Sequence, residues 1–141
     1  MVKPVKKNIL KKLQVNEVFE ANVEANSQSK DNSSLEVSRG ELYNFFVPKG
    51  EYWYDFFFIR STASGFNFPF FRQKLKQPQA RYFELCGELI ENSSPGSFII
   101  GEQLNNFECT ESGRLILFAN DVPGFYFNNR GSIRVWITRT K

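Results

Sequence analysis

The sequence predicts an all-β fold, a small sandwich or jelly roll, from its composition and from its short apolar segments. Sixteen Phe, five Tyr and two Trp stand beside a single Met and no His, and aromatic and β-branched residues favour strands. The apolar runs are short and are separated by Gly, Pro and Asn, which is typical of proteins built from many short strands. The chain shows no long helical period and no internal repeat.

Candidate strands follow one another along the chain. The alternating segment 18–25 is followed by a polar loop at 26–34, and residues 35–59 read as short strands broken by Gly40 and by the Pro-Lys-Gly of 48–50. Residues 61–80 form the longest irregular stretch. Further strands are predicted in RYFELCGELIE, SFIIGE, NNFECTESG and RLILFAND, with a Ser-Pro-Gly turn at 94–96. The last segment, GSIRVWITRT, alternates apolar and polar residues, which predicts a strand with one buried face.

Two aromatic features need an interpretation at this stage. The runs FFFI (56–59) and FNFPFF (66–71) are interpreted as core strands rather than as sugar-stacking platforms, because aromatic runs are usually buried. Trp136 lies on the polar face of the last strand. It is either a residue of a subunit interface, where Trp is common, or a half-buried packing residue.

Charge and length predict a basic lead segment, residues 1–16, followed by a single domain, residues 17–141. The formal net charge is +3, and five Lys against two Glu within residues 1–20 account for it, so the rest of the chain is neutral. The lead is interpreted as a solubilising tail or a first strand, with contact to phosphates or anionic lipid as the alternative. Nucleic-acid binding is not expected, because the aromatic-rich body carries no basic excess.

Several classes of protein are excluded. The N-terminus lacks the apolar core of a signal peptide, and no apolar run approaches the length of a membrane span. We therefore expect a soluble protein without membrane insertion, cytoplasmic or exported by a non-classical route. Without His there is no Ser-His-Asp or Cys-His centre. A catalytic carboxylate pair stays open as an alternative, but no such pair stands out in the sequence, so no enzyme is expected. Cys86 and Cys109 lie in strand-like runs, as buried thiols or as a disulfide.

The segment NDVPGFYFNNRGS (120–132) concentrates polar side chains around a turn. Asp121 offers a carboxylate, Asn128 and Asn129 offer amide oxygens, and the turn can direct backbone carbonyls inward. Hard oxygen ligands at irregular spacing suit calcium, which takes about six to eight of them. A plain hairpin is the alternative, because Val-Pro-Gly and Asn-Asn-x-Gly are good turn signals.

This segment resembles the C-terminal part of the PA-IL (LecA) family of bacterial galactose-binding lectins. That family has a strand, Asn-Asp-Val-Pro-Gly, Tyr, Asn-Asn, Gly-Ser and a strand, which this chain matches without a gap from Asn120 to Ser132. The segments CGELI (86–90) and RGELYNFFVPKGEYWYDF (39–56) are similar to other parts of the family. The resemblance spans about residues 35–138, and its specific part is 120–132.

The resemblance implies a galactose-binding-lectin type of β-sandwich with one calcium ion between protein and sugar. The ligands would be the side chains of Asp121, Asn128 and Asn129, the backbone carbonyl of Phe125, and one carbonyl near Trp53. Alignment on Gly50 selects Tyr54 for the last position, with Asp55 or Phe56 as alternatives.

The sugar, a galactoside or a related glycan, would place two vicinal hydroxyls on the ion. Asp121, Asn128 and the backbone at Val122 would contact it. A homo-oligomer is expected, because weak single sites gain from multivalency.

The chain departs from the family in ways that leave a second function open. The family completes its pocket with a His and a Gln on an inserted loop, and this chain has no His. Gln73, with Arg72 and Phe68, could replace that wall. Phe127 stands where the family has Gly, and it could line the pocket, block it or pack. The alternative is therefore a calcium-stapled interaction or structural module that binds no sugar.

Overall fold

A computed structural model describes residues 11–27, 35–90 and 96–141 of the chain. Eleven strands fall within these ranges: β1 Val18–Glu24, β2 Leu35–Val37, β3 Leu42–Phe46, β4 Trp53–Asp55, β5 Ile59–Ser61, β6 Ser64–Phe66, β7 Tyr82–Ile90, β8 Ser97–Ile99, β9 Gln103–Glu108, β10 Gly113–Ala119 and β11 Arg130–Arg139. Short 3₁₀ helices occupy Arg72–Lys74 and Tyr126–Asn128. The described residues thus form an all-β protein, as the composition predicts.

The strands pair into two antiparallel sheets. One sheet has the order β5-β4-β11-β3-β9, with β1 also paired to β11. The other has the order β2-β10-β7-β6, with β8 also paired to β7. The ten-residue strand β11 organises the first sheet, because it pairs with β1, β3 and β4.

The alternation predicted for the last strand is confirmed. Ile133, Val135 and Ile137 are almost fully buried, whereas Trp136 is 41% exposed. The Trp136 indole N–H donates to Glu20 Oε1 over 3.0 Å, and its ring lies 5.8 Å from that of Phe46. Trp136 thus packs on the outer face of the sheet, and its place in a subunit interface stays a prediction.

The core lies between the two sheets and is rich in aromatic residues. Trp53 is fully buried, its ring meets Phe83 edge-on at 6.0 Å, and its indole N–H donates to the Phe83 carbonyl. Cys86 and Cys109 are both buried and both free thiols. Leu13, from the predicted lead segment, is 1% exposed and belongs to this core, so the described end of that lead packs onto the sandwich.

The interpretation of the aromatic runs as core strands is wrong. Residues 56–58 form the turn between β4 and β5, and their rings are 52%, 55% and 77% exposed. In FNFPFF, Phe66 ends β6, while Phe68, Phe70 and Phe71 lie exposed in the following loop. Apolar composition alone did not reveal that the backbone turns at these residues, with positive φ at Phe56, Phe57 and Phe71.

Two further expectations fall on residues outside the described ranges. Most of the predicted polar loop at 26–34 and of the Ser-Pro-Gly turn at 94–96 lies there. None of the helices within the described ranges has the length and apolar character needed to cross a membrane.

Candidate functional site

The loop of residues 120–129 leaves β10 and enters β11, and Asn120 fixes its start. Asn120 is fully buried. Its Nδ2 donates to the carbonyls of Gln77 and Arg81, and its Oδ1 accepts from the Gln77 amide over 2.8 Å. All of these bonds hold the 77–81 loop against the strand end. Asn120 is therefore a clamp, and its side chain is not available to a ligand.

The turn that follows is fixed by Tyr126. The Phe125 amide donates to the Val122 carbonyl over 3.0 Å, and Gly124 takes φ +95°, a region open to glycine. The buried Tyr126 hydroxyl donates to the Ala119 carbonyl and accepts from the Asp121 amide. The 3₁₀ turn Tyr126–Asn128 then directs Asn128 and Asn129 into the protein, where both are buried.

Asp121 and Asn129 form the centre of the site. Asn129 Nδ2 donates to Asp121 Oδ2 and to the Ala25 carbonyl, both over 3.0 Å. The Val122 amide donates to Asp121 Oδ1 over 2.7 Å. Both donors of Asn129 are thus used, and its Oδ1 is buried with no hydrogen-bond partner.

Asn128 Oδ1 is the second unpaired acceptor of the site, also buried without a partner. Leaving a buried acceptor unpaired costs roughly 1–3 kcal/mol, and two such atoms occur on adjacent residues. Buried amides normally satisfy their oxygens within the protein. The two adjacent unpaired oxygens are therefore candidate ligands for a group from outside the chain.

A second carboxylate, that of Asp55, reaches the same site from the end of β4. Asp55 and Asp121 are each 4% exposed. Burial and then the nearby Asp121 charge raise the pKa of Asp55 from 3.8 to about 6, although the Phe56 amide donates to it. Burial also raises the pKa of Asp121, against the hydrogen bonds from Val122 and Asn129.

Within the described ranges five ion pairs occur, and none of them includes either carboxylate. Two buried like charges without a counter-ion are unfavourable. Two carboxylates and two unpaired amide oxygens together make a set of hard oxygen donors with charge −2. That set fits a hard divalent cation, and calcium in particular accepts such a mixture.

The described residues bring no three of His, Cys, Asp and Glu together, so any metal here would need amide or carbonyl oxygens besides the two carboxylates. A zinc site fits poorly, because zinc sites are built mainly from thiolate and imidazole ligands and the site has neither. Magnesium is less suited, because it demands near-octahedral geometry and retains its waters. The donor chemistry therefore favours calcium.

The site opens into a pocket of about 310 Å³, at the lower end of the range of small-molecule sites. Half of its lining residues are aromatic, and the lining also includes both buried aspartates. Its lining comprises Asp55, Phe56, Ile59, Phe66, Phe68, Phe71, Lys74, Tyr82, Asp121, Val122, Phe125 and Asn128.

The predicted site residues separate into those that the structure brings together and those that it does not. Asp121, Val122, Phe125 and Asn128 line the pocket, and Asn129 lies beside Asp121. Tyr54 is absent from the lining; the guanidinium of Arg130 lies 4.5 Å from the centre of its ring. Its neighbours Asp55 and Phe56, the alternatives that the sequence offered, line the pocket instead.

The structure also shows where Gln73 and Phe127 lie, the two residues discussed for the chain's departures from the lectin family. Gln73 is exposed in the 3₁₀ turn Arg72–Lys74 and does not line the pocket, whereas Lys74 and Phe68 do. Phe127 is 74% exposed and outside the lining, so it neither blocks the pocket nor packs in the core.

The Asp55 carboxylate is the site residue that sequence reasoning missed, because Asp55 was considered only for its backbone carbonyl. It lies 66 positions before Asp121 in the chain. The signal that could have found it is local: an acidic residue directly after the Trp53 corner, in a strand that pairs with the start of β11.

No protein-family model matches the chain, and no curated protein matches it. Among solved structures, the chain is similar to the N-terminal domain of EclA, described as a PllA-like lectin, with a TM-score of 0.63 and 18% identity. The match covers 86% of this chain and 95% of that domain. At this identity the likeness concerns the fold. The chain thus has an all-β fold of the kind found in a PllA-like lectin domain.

Proposed function

We propose that this protein binds carbohydrate in a calcium-dependent, non-catalytic manner at the pocket above Asp55 and Asp121. One observation carries the proposal: two buried amide oxygens without partners adjoin two buried carboxylates without a counter-ion, at the base of an open pocket. The fold shared with a domain described as a lectin supports the carbohydrate part.

Calcium would be held by the carboxylates of Asp55 and Asp121 and by the amide oxygens of Asn128 and Asn129. The backbone carbonyl of Phe125, which the family resemblance implies, is a further candidate. When bound, the ion supplies coordination positions for two vicinal hydroxyls of a sugar. With two carboxylates the protein ligands balance its charge, so a neutral sugar would enter a neutral site.

The residues of the chain itself would orient the sugar. Asp121 and Asn128 lie at the base of the pocket, where they can accept and donate hydrogen bonds to the same hydroxyls, and Val122 offers its backbone. The rings of Phe68 and Tyr82 stand in the wall, and an aromatic face suits the C–H face of a sugar. A galactoside is the sugar that the family resemblance implies.

A second candidate function is a calcium-stapled interaction module without sugar binding. The composition of the wall favours it, because among the described residues of the lining Lys74 is the only charged side chain besides the two aspartates. A sugar has several hydroxyls beyond the two that an ion can hold, and each loses water on binding. A wall of aromatic rings offers these hydroxyls few hydrogen bonds in place of those they made with water.

A glycan array tests the proposal and separates the two candidates. We expect binding to galactosides or related glycans in calcium and none in excess chelator. Asp121→Asn, which keeps the shape of the side chain, should remove it. Glu36→Gln, a carboxylate exposed on β2 of the other sheet, is the matched control and should bind as the parent does.

A thermal melt read in parallel decides between the outcomes. Calcium at a hundredfold excess over its dissociation constant stabilises by about 2.7 kcal/mol. A calcium-dependent rise in the melting midpoint with silence on every glycan would favour the interaction module. An unchanged midpoint in calcium and in chelator would remove the metal from both candidates. We also expect a homo-oligomer, which sedimentation velocity would measure.

A further inference from the structure

Exposed phenylalanines lie in and beside the chain segments that line the pocket. Of the nine phenylalanines whose side chains are exposed, eight lie in the three chain segments 56–60, 67–74 and 122–130. We call them the phenylalanine rim: Phe56, Phe57, Phe58, Phe68, Phe70, Phe71, Phe125 and Phe127.

The segments form one surface. Four of these rings line the same pocket. The Phe57 amide donates to the Asn128 carbonyl over 3.0 Å, and Arg130 donates to the Phe57 carbonyl. A contiguous exposed patch of this kind marks a site of interaction.

Three of these phenylalanines have a backbone conformation that is strained for a bulky residue, which suggests that their exposed rings have a function. Phe56, Phe57 and Phe71 take φ of 48°, 65° and 61°, where a bulky residue is strained and Gly or Asn is the relaxed choice. The same chain uses Asn16 and Asn106 at other such positions. At these three sites the chain has a phenylalanine although its backbone is strained and its apolar ring is exposed to water.

Buried Phe83 shows the contrast. It also has a positive φ, 60°, but it is fully buried and meets Trp53 edge-on. The cost of its strained backbone is offset by the packing of its ring inside the protein. The three strained rings of the rim are between 52% and 62% exposed, so their compensation has to come from outside it.

The charge of the same surface selects the partner. The three segments carry four cations, Arg60, Arg72, Lys74 and Arg130, and contain no Asp or Glu. The acids at the base of the pocket, Asp55 and Asp121, are buried. None of the four cations takes part in an ion pair with a residue of the described ranges.

A second copy of the chain is a poor occupant. A two-fold contact sets the same patch against itself, which would bring these like charges face to face. Exposed rings interspersed with cations suit the interface of an anionic lipid bilayer, where rings lie at the level of the headgroups and cations meet phosphates.

We propose that the phenylalanine rim docks this protein onto the surface of an anionic lipid bilayer, with the rings in the headgroup region and the chain on one side of the membrane. The pocket opens between these rings, so docking brings its mouth to the headgroups. The docking rests on the rim and its cations alone and needs neither calcium nor sugar.

Vesicle co-sedimentation of the full chain in excess chelator tests this. Vesicles of phosphatidylcholine with 30% phosphatidylglycerol and vesicles of phosphatidylcholine alone carry no sugar headgroup that a lectin site would recognise. The result is therefore independent of the proposed function. We expect binding to the anionic vesicles, weakening as salt rises because the charges are screened.

Variants at residues outside the pocket lining make the test specific. Phe58→Ser with Phe127→Ser should lower the partition coefficient about tenfold or more, since each ring loses its burial in the interface. Arg60→Gln with Arg72→Gln should lower it about fivefold per charge at low salt. Phe46→Ser, an exposed phenylalanine on β3 outside the three segments, is the matched control and should bind as the parent does.

Two results would overturn the proposal. One is equal sedimentation of the parent and of Phe58→Ser/Phe127→Ser with anionic vesicles, including no sedimentation of either. The other is a concentration-dependent dimer, seen by light scattering, that this double variant abolishes; the rim would then be an interface between copies of the chain.

Discussion

Replacing Asp55 with Asn should stabilise the metal-free protein and remove its response to calcium. In the metal-free state the Phe56 amide is the one donor to the buried Asp55 carboxylate among the described residues, and the pKa of this carboxyl is raised from 3.8 to about 6 by burial and then by Asp121. Asn keeps the shape and an acceptor for that amide, and it removes the charge.

The size of the effect follows from the pKa. A rise from 3.8 to about 6 corresponds to roughly 3 kcal/mol of destabilisation when the carboxyl is ionised, at 1.36 kcal/mol per pKa unit. The new amide is itself buried and recovers part of this cost, so we expect a gain of about 1–2 kcal/mol at pH 7.5. For a domain of this size that is a rise in melting midpoint of roughly 3–8 °C.

The sign of the pH dependence gives an independent check. The folded pKa of Asp55 lies above the unfolded one, so the folded state holds more protons between about pH 4 and 6. The stability that this carboxyl contributes is present below pH 4 and lost as the pH rises through 6. In chelator, the parent should lose stability across this window more steeply than Asp55→Asn does.

Calcium should reverse the order of stability of the two proteins. The parent should gain stability with calcium, and Asp55→Asn should gain much less because one ligand charge is gone. Thermal melts in chelator and in calcium, with Glu36→Gln as the control for loss of a carboxylate, measure both effects. A variant that is no more stable than the parent in chelator, or one that responds fully to calcium, would refute the assignment of Asp55 to the site.

Three further substitutions test other parts of the structure. Asn128→Ala should leave the metal-free stability nearly unchanged, since its Oδ1 has no partner, and should weaken calcium binding about tenfold or more by calorimetry; an unaltered affinity would exclude this oxygen as a ligand. Asn120→Ala breaks the clamp on Gln77 and should cost about 2–4 kcal/mol in urea unfolding, so a loss below 1 kcal/mol would contradict that role. Gly87→Ala places a Cβ 2.4 Å from the Phe98 ring and should cost about 1–3 kcal/mol by the same assay; a neutral result would mean that the ring moves freely.

The sequence predicted the strands well where one face of a strand is buried. In β11 and β1 the alternation of apolar and polar residues follows the period of the pleat, and the buried residues Ile133, Val135 and Val23 fall where the pattern puts them. This information is local, so it can be read without knowing the partner strand.

The aromatic runs show where such reading fails. Composition cannot distinguish a buried strand from an exposed turn when both are made of Phe, because the difference lies in φ and in what surrounds the ring. Residues 56–58 became a turn because β4 and β5 are joined by only three residues. This constraint comes from the pairing of the two strands, and it cannot be read from the hydrophobicity of the sequence.

The candidate site was predictable in its contiguous part and not in its distant part. Asp121, Asn128 and Asn129 lie within nine residues, and their spacing around a turn indicates oxygen donors. Asp55 joins them only because β4 pairs with the first residues of β11. Pairing between strands so far apart in the chain cannot be deduced from either segment alone.

The unfavourable features of this protein are concentrated in one corner, and that concentration argues for function. Two unpaired amide oxygens, two buried carboxylates and three strained phenylalanines all lie around the pocket. Elsewhere, as at Phe83 and Asn120, the comparable cost is met by packing or hydrogen bonds. Folds carry uncompensated costs mainly where a ligand or a partner supplies the missing interaction. A cation would satisfy the unpaired oxygens, and an apolar surface would bury the exposed rings. The two proposals therefore explain different unfavourable features and can be tested separately.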